Sequence, residues 1–161
     1  MARQGKMTYR WMDYSAAYAP IAEPWLDAAA QKFTGCEDGW NDYFEYWKND
    51  SSTILGKNFW GKLIFADAAP VAVMTLAFAE GCFTVCEFIV APEKRSQGCG
   101  SAILRELLAQ GKEILGREIG AAQAVIYPQN IASQKAFENA GFSFHYAHPD
   151  GDAWYYQYAK A

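Results

Sequence analysis

A short stretch in the middle of the chain, residues 90–101, combines glycine spacing and positive charge in a pattern suited to binding an anion. Its sequence is VAPEKRSQGCGS, in which an apolar run stops at a proline and a Gly-x-Gly turn opens onto a helical pattern. The first amides of a helix lack intrahelical partners and lie at the positive end of its dipole, so they attract phosphate. Gly98 and Gly100 let the backbone come close and can adopt positive φ, while Arg95 supplies a charged flank.

Known nucleotide-binding loops fit this stretch poorly. The Walker loop requires Gly-Lys-Ser/Thr, whereas Gly100 is followed by Ser101 and Ala102. A dinucleotide fingerprint requires a third glycine where this chain has Ile103, and an acidic residue after a second strand. The spacing therefore predicts a phosphate-binding loop of another kind.

Glu87 is the acidic residue of the strand-like segment that leads to this loop. Alternation places it on the same face as Phe83, Val85 and Ile89, where a carboxylate costs free energy unless it is paired or its pKa is raised. A raised pKa suits a general base that removes a proton from an ammonium group. An edge position or an ion pair would also accommodate Glu87, so a structural role stays open.

A helical stripe of aromatic residues forms a second cluster of interest. Such stripes are more often core than ligand site. Acidic neighbours at Glu37, Asp38, Asp42 and Glu45 would nevertheless let the rings wall a pocket for a cationic acceptor. This candidate substrate-binding stripe consists of Trp40, Tyr43, Phe44 and Trp47.

Hydrophobic periodicity indicates the elements that must position these residues. In chain order it predicts a strand at 7–12, a helix from Pro20 and Pro24 to Gly35, a helix at 39–49, strands at 60–66, 71–78 and 82–90, a helix after the loop to about 116, a strand at 122–127, a helix capped by Asn130 and ended by Gly141, and strands at 142–145 and 153–158. Both faces of 71–78 are apolar, which requires cover on both sides. We therefore predict an α/β (α+β) fold of order β-α-α-β-β-β-α-β-α-β-β, with a central mixed, mostly antiparallel sheet of about six to seven strands and helices on both faces.

The segment from Arg95 to Gly100 resembles the acetyl-CoA loop of the GNAT superfamily of N-acetyltransferases, Arg/Gln-x-x-Gly-x-Gly/Ala. The stretch 87–92 looks like that family's fourth strand. Residues 130–142 are similar to its signature Asn-x-x-Ala-x-x-x-Tyr-x-x-x-Gly-Phe, with the alanine displaced to Ala132 or Ala136. The order of elements is also that of GNAT domains, so we expect a single acetyltransferase-like domain over residues 1–161.

This resemblance implies that acetyl-CoA is the co-substrate and that its acetyl group passes directly to a primary amine of a small molecule or peptide. Amides from Gln97 to Ser101 would bind the pyrophosphate, and the backbone near Ile89 and Val90 would pair with the pantetheine arm. A homodimer is one assembly open to such a domain. The coenzyme-binding residues that the resemblance implies are Phe88, Ile89, Val90, Arg95, Ser96, Gln97, Gly98, Cys99, Gly100, Ser101, Asn130, Ser133 and Phe137.

Phe137 departs from the family signature. The family often has a tyrosine there whose hydroxyl can protonate the departing thiolate, and phenylalanine has no such proton. Tyr127, Ser133 and Tyr146 are candidate substitutes, although a thiol with a pKa of about 8.5 can also leave without a donor. The same departure motivates a rival hypothesis, a CoA-binding regulatory or structural module without chemistry. Cys99 has no base within motif distance and is not expected to be a nucleophile.

Composition and charge exclude several other classes of protein. The net charge is -4 over 161 residues, without the basic stripe of a nucleic-acid binder. Apolar runs are too short to span a membrane and no apolar segment follows the start, Met1 to Arg10, so we expect no signal peptide and a cytoplasmic protein.

The four cysteines are expected to be buried, reduced thiols. Cys82 and Cys86 would lie about 13 Å apart on one strand, beyond the roughly 7 Å limit on Cα separation for a disulfide. Neither His145 nor His148 has zinc-ligand spacing to a cysteine. No bound metal is therefore predicted.

Overall fold

The computed structural model describes residues 7–50 and 58–160. Its centre is a seven-stranded sheet in the order β1-β2-β3-β4-β5-β7-β6. Among these strands only β4 and β5 pair in parallel. The predicted mixed, mostly antiparallel sheet is therefore confirmed. The strands are β1 (Tyr9–Asp13), β2 (Phe59–Ala66), β3 (Ala69–Ala79), β4 (Cys82–Val90), β5 (Ala121–Ile126), β6 (Ser143–Ala147) and β7 (Trp154–Ala159).

Helices cover both faces of the sheet, as the apolar faces of β3 require. The helices are α1 (Ala19–Ala22), α2 (Ala28–Lys32), α3 (Trp40–Asn49), α4 (Cys99–Ala109), α5 (Gly111–Leu115) and α6 (Ile131–Asn139). One buried cluster joins Met74 and Leu76 of β3 to Leu104 of α4 and Phe137 of α6. A second cluster on the other face joins Val73 of β3 to Trp40 and Phe44 of α3. The sheet is thus the middle layer of three.

The predicted continuous helix between Pro24 and Gly35 is wrong, because the chain turns at Leu26. Leu26 has φ -82° and ψ 63°, and Asp27 is extended. The Asp27 carboxylate then accepts a hydrogen bond from the Ala30 amide at 2.9 Å and starts α2 as a new helix. Trp25 and Leu26 are both buried. The turn lets these consecutive side chains enter the core.

The predicted single helix that ends near Gly116 is also interrupted. Gln110, with φ -120° and ψ 29°, separates α4 from α5. Gly111 follows at a point where a Cβ atom would lie only 2.7 Å from the Ile119 side chain. Close contact with the segment that leads to β5 therefore fixes the break, and a hydrophobic pattern carries no sign of it.

The end of α6 follows its prediction. The Asn130 side chain accepts a hydrogen bond from the Ser133 amide at 3.2 Å and caps the helix start. At the other end the Phe142 amide donates to the Phe137 carbonyl and the Gly141 amide to the Glu138 carbonyl, both at 3.0 Å. This is the bond pair of a Schellman ending. The Phe137 and Phe142 rings meet edge to face at 4.9 Å.

Candidate active site

A cleft opens where the two parallel strands separate. β4 and β5 pair only over Phe83–Val85 and Ala122–Ala124. Beyond this pairing the strands diverge, and a cleft of about 780 Å³ lies between them, large enough for a cofactor-sized ligand. Its walls come from α2, the ends of β4 and β5, the loop before α4, and α6. The loop within residues 90–101, which is predicted to bind an anion, therefore forms one wall of this cleft.

The loop meets α4 in the geometry expected of an anion cradle. Gly98 is the N-cap of α4 with φ +79°, and no side chain caps the helix. The first backbone bond runs from the Ala102 amide to the Gly98 carbonyl, so the amides of 99–101 have no intrahelical acceptor. Three free amides at the positive end of a helix suit a phosphate group.

The two glycines of the loop have different surroundings. A Cβ on Gly98 would meet nothing within 4 Å, so this glycine is required by its left-handed backbone and not by crowding. A Cβ on Gly100 would lie 3.6 Å from the Ala136 Cβ and 3.8 Å from Val90. These are ordinary van der Waals separations, so the start of α4 packs against α6 and the floor of the cleft with room for a Cβ at Gly100. The residues present fit a pyrophosphate.

Arg95, which is predicted to flank the phosphate, also connects the loop to neighbouring segments through three hydrogen bonds. Its Nε donates to the Val90 carbonyl at 2.9 Å, one terminal nitrogen to Asp27 at 2.8 Å, and the other to the Trp25 carbonyl at 3.0 Å. The Ala30 amide and the Arg95 guanidinium hold the pKa of Asp27 below its ordinary value. Arg95 lines the cleft, but its donors tie the loop to the start of α2.

The edge of β4 presents peptide groups to the cleft. The Ala91 amide donates to the Val71 carbonyl at 2.8 Å, and in an antiparallel ladder every second residue faces the partner strand. Peptide groups of Ile89 therefore point towards β3, and those of Phe88 and Val90 point towards the cleft. Pairing is predicted near Ile89 and Val90; the peptide groups that face the cleft belong to Val90 and Phe88, and Ile89 is a buried core residue.

A β-bulge changes the face on which Glu87 lies. Val85 pairs with Leu76 and Glu87 with Thr75, so Cys86 is an extra residue in β4. Phe83 and Val85 belong to the core cluster beneath α4, whereas Ile89 belongs to the cluster beneath α3. The predicted common face of Glu87 with Phe83 and Val85 is wrong, because the bulge reverses the alternation between them.

The Glu87 carboxylate lies in the wall of the cleft that faces α2 and α3. Its Oε1 accepts a hydrogen bond from the Gly35 amide at 2.9 Å. Burial raises the pKa of Glu87 from 4.5 to about 7, and the bond from Gly35 opposes part of that rise. A carboxylate that changes protonation near neutral pH and borders a cleft has the properties of a general base.

Residues around Glu87 hold its strand in place. The Glu87 amide donates to the Thr75 hydroxyl at 3.2 Å, and this hydroxyl shares a 2.8 Å hydrogen bond with the Tyr43 hydroxyl. The Thr34 hydroxyl is buried in the same wall and makes no conventional hydrogen bond with the described residues; the thiol of Cys36, a weak partner, lies beside it.

Most of the predicted coenzyme-binding residues line this one cleft. Gln97 is the exception, because it is exposed and its amide nitrogen donates to the Glu93 carbonyl at 2.7 Å. Of the candidate acids, Tyr127 and Ser133 line the cleft. Tyr146 lies on the edge strand β6, stacked on Tyr155 at 4.4 Å, and cannot reach the same place.

None of the four residues of the predicted substrate-binding stripe on α3 lines the cleft, and two of them are buried in the core. Trp40 is 0% exposed and Phe44 is 3% exposed. Tyr43 is half-buried against Thr75, and Trp47 does not line the cleft. Helix α3 turns its apolar face towards the sheet, which leaves the acceptor side of the cleft to other residues.

Phe33, Thr34 and Lys135 are cleft residues that the sequence interpretation missed. The Phe33 ring lies 6.2 Å from the Tyr127 ring, and both rings line the cleft. In the sequence Phe33 marked only the apolar stripe of a helix. Its role depends on where α2 ends relative to β5, and periodicity does not report that relation.

The fold is α/β, and its cleft between a separated pair of strands has the free helix amides that suit a phosphate-bearing co-substrate. The model of the acetyltransferase (GNAT) family matches residues 13–142, and the chain belongs to this family. Membership confirms the predicted class of enzyme, an acyl-CoA-dependent acetyltransferase. A comparison with curated proteins finds no match in sequence.

Several solved acetyltransferases have a similar fold. Aminoglycoside acetyltransferase AAC(6')-Ib in complex with coenzyme A and kanamycin has a TM-score of 0.71 at 14% identity, over 94% of this chain and 95% of that chain. A spermidine N-acetyltransferase SpeG chimera from Vibrio cholerae and hSSAT gives 0.73 at 12% identity, over 95% and 96%. N-acetyltransferase PseH from Campylobacter jejuni gives 0.66 at 11% identity, over 96% and 100%.

Among the described helices, none combines the length and apolar character needed to cross a lipid bilayer.

Proposed function

We propose that this chain transfers the acetyl group of acetyl-CoA to a primary amine by direct attack, with Glu87 as the general base. The observation that carries the proposal is the Glu87 carboxylate, which borders the same cleft as the free amides of α4. Burial brings its pKa to about 7. Similar folds that hold coenzyme A with an amine such as kanamycin support the choice of donor and acceptor.

Each wall of the cleft has a part in this reaction. The amides at the start of α4 bind the pyrophosphate, and the β4 edge at Phe88 and Val90 pairs with the pantetheine arm. Acetyl-CoA supplies an activated acyl carbon. An ammonium group cannot attack this carbon. Glu87, or a water held by Glu87, therefore first accepts one proton from the ammonium group of the acceptor. A C–N bond then forms, the C–S bond breaks and the sulfur leaves as a thiolate; the nitrogen gives up its second proton as the amide forms, and this proton balances the one that the thiolate takes up.

Cys99 takes no part as a nucleophile in this scheme. Burial raises the pKa of its thiol, against the opposing effects of a bond to Tyr9 and of Lys94. A thiol is a poor nucleophile unless it loses its proton. The position of Cys99 at the start of α4 is therefore explained by its amide, which belongs to the anion cradle.

Protonation of the leaving thiolate does not depend on Phe137. This residue is 4% exposed and packs against Phe142. Tyr127 and Ser133 offer hydroxyl groups along the cleft. A thiol of pKa about 8.5 leaves as a thiolate at modest cost near a helix N-terminus, so an obligatory acid is not part of the proposal.

Release of free CoA thiol in the presence of amines tests the proposal. The chain is mixed with acetyl-CoA and a panel of monoamines, polyamines and peptides, and thiol is measured with and without each acceptor. We expect thiol release that depends on the acceptor. A chain that binds acetyl-CoA but releases thiol with none of them would be the rival, a regulatory CoA-binding module.

We also propose a cytoplasmic location. All four cysteines are free thiols, which persist in a reducing compartment. Cell fractionation with a tagged full chain tests this location.

A further inference from the structure

The acceptor side of the cleft carries an aromatic pair, defined here as Phe33 and Tyr127. The rings lie 6.2 Å apart and are tilted by 39°. Phe33 ends α2, and Tyr127 follows β5. Phe33 also lies just before Gly35, whose amide holds the Glu87 carboxylate at 2.9 Å. Phe33 is thus two residues from the amide that binds the candidate base, and both rings line the same cleft as the free amides of α4.

Apolar side chains line the same cleft as the aromatic pair. They include Ala29, Ala30 and Val125. Val125 and Tyr127 are large apolar side chains that remain 49% and 41% exposed. Flat or apolar groups pack against such surfaces, with aromatic contacts adding to the gain from burial.

The charged residues of the cleft favour an acceptor with one positive charge over an acceptor with several. Among the described residues that line it, Glu87 is the only carboxylate, while Lys94, Arg95 and Lys135 are cationic. The ammonium of Lys32 lies 5.5 Å above the centre of the Phe33 ring. A second positive charge placed against Phe33 would therefore lie near the Lys32 ammonium, and among the described cleft residues it would find no carboxylate besides Glu87.

We propose that the acceptor is a singly charged primary amine carried on a flat apolar group, and that Phe33 and Tyr127 bind this group. The inference rests on the proposed function and narrows its acceptor. It sets this chain apart from similar folds whose names or ligands indicate polycationic acceptors, spermidine and kanamycin. The ammonium faces Glu87, and the flat group lies against the aromatic pair.

Steady-state kinetics with four defined amines test the inference. 2-Phenylethylamine and tyramine represent the proposed class, and spermidine and kanamycin represent polycations. We expect kcat/KM for 2-phenylethylamine to exceed that for spermidine by at least about tenfold, since one lost aromatic contact and one unpaired charge each cost on the order of a factor of ten. A preference for either polycation would overturn the inference while leaving acetyl transfer established. If none of the amines stimulates thiol release, the proposed function itself is refuted.

Variants of the aromatic pair test the assigned residues. Phe33→Ala and Tyr127→Ala should each raise the KM for 2-phenylethylamine by about tenfold and leave the KM for acetyl-CoA unchanged. Tyr127→Phe keeps the ring and should keep the parent KM for the amine. Because Tyr127 is 41% exposed, its substitution is tolerated even if the Phe33 variant folds poorly.

Two further variants complete the design. Tyr46→Ala removes a ring that is 66% exposed on α3 and lies outside the cleft, so it should change none of these constants. Lys32→Gln removes the charge over Phe33 and should raise kcat/KM for spermidine several-fold. An unchanged amine KM in both alanine variants would show that the acceptor binds elsewhere.

Discussion

Glu87→Gln gives a prediction that links stability to catalysis in one residue. Burial raises the pKa of Glu87 from 4.5 to about 7 in the folded chain. Between these two values the unfolded chain has lost the proton and the folded chain still holds it, so raising the pH favours unfolding. At about 1.4 kcal/mol per pH unit, ionising Glu87 in the folded state costs at most about 3 kcal/mol.

Glutamine keeps the shape of the side chain, and its carbonyl can accept the bond from the Gly35 amide, but it cannot ionise. We therefore expect the variant to be more stable than the parent by up to about 3 kcal/mol at pH 8. This difference in the free energy of unfolding should shrink as the pH falls below about 7 and reach a constant small value below about 4.5. Urea unfolding of both proteins at pH 4.5, 6 and 8 measures it, with exposed Glu118→Gln as the control.

The same variant should lose activity where it gains stability. We expect turnover to fall by about 10²-fold at neutral pH with affinity for acetyl-CoA unchanged. In the parent, the rate should rise with pH around 7, as Glu87 loses its proton. In the variant that rise should vanish, and the rate should recover partly at high pH, where amines arrive deprotonated. A stability gap that does not change with pH, together with an unchanged rate, would assign Glu87 a purely structural role.

Three predictions concern the loop before α4. Gly98 and Gly116 share nearly the same backbone, φ +79° and ψ 3° against φ +83° and ψ 2°, and neither Cβ would meet an atom within 4 Å. Valine at either position should lower the free energy of unfolding by about 1–2 kcal/mol. Only Gly98→Val should also abolish the stabilisation by acetyl-CoA in thermal melts. If acetyl-CoA stabilises both variants equally, the anion cradle does not lie at Gly98. Cys99→Ala should retain most of the turnover in the thiol-release assay, and total loss with intact CoA binding would refute direct attack. Arg95→Ala removes three hydrogen bonds and should raise the KM for acetyl-CoA more than Asp27→Asn, which weakens only one of them. The double variant should match Arg95→Ala, because that change already removes the bond to Asp27; additive losses would indicate a direct phosphate contact of Arg95.

Sequence patterns predicted the parts of this molecule that depend on local chemistry. Alternating and helical periods gave the order of strands and helices. The spacing of Gly98 and Gly100 before an amphipathic segment gave the anion cradle, because a left-handed residue at a helix start leaves a local signature. Asn130 and Gly141 marked the two ends of α6 for the same reason.

Features that the sequence did not predict concern relations between distant segments. The ion pair of Arg95 with Asp27 was not expected because the two residues are far apart in the sequence. The aromatic stripe of α3 looked available because nothing local shows that Trp40 and Phe44 face the sheet. Phe33 looked like a core residue because its contact with Tyr127 joins α2 to the end of β5.

The bulge at Cys86 shows how one extra residue creates several features of the site together. Without it, strict alternation would turn Glu87 into the apolar cluster beneath α4, beside Phe83 and Val85. The extra residue instead directs the carboxylate to the Gly35 amide. The same change of phase brings the side chains of Phe88 and Val90 under Gly100, at 3.9 Å and 3.8 Å from where its Cβ would lie. Parallel pairing with β5 ends at Val85, the residue before the bulge, and the cleft opens from there. The position of the base, the floor of the anion cradle and the separation of the strands therefore have one structural cause, which alternation in the sequence conceals because Cys86 is itself apolar.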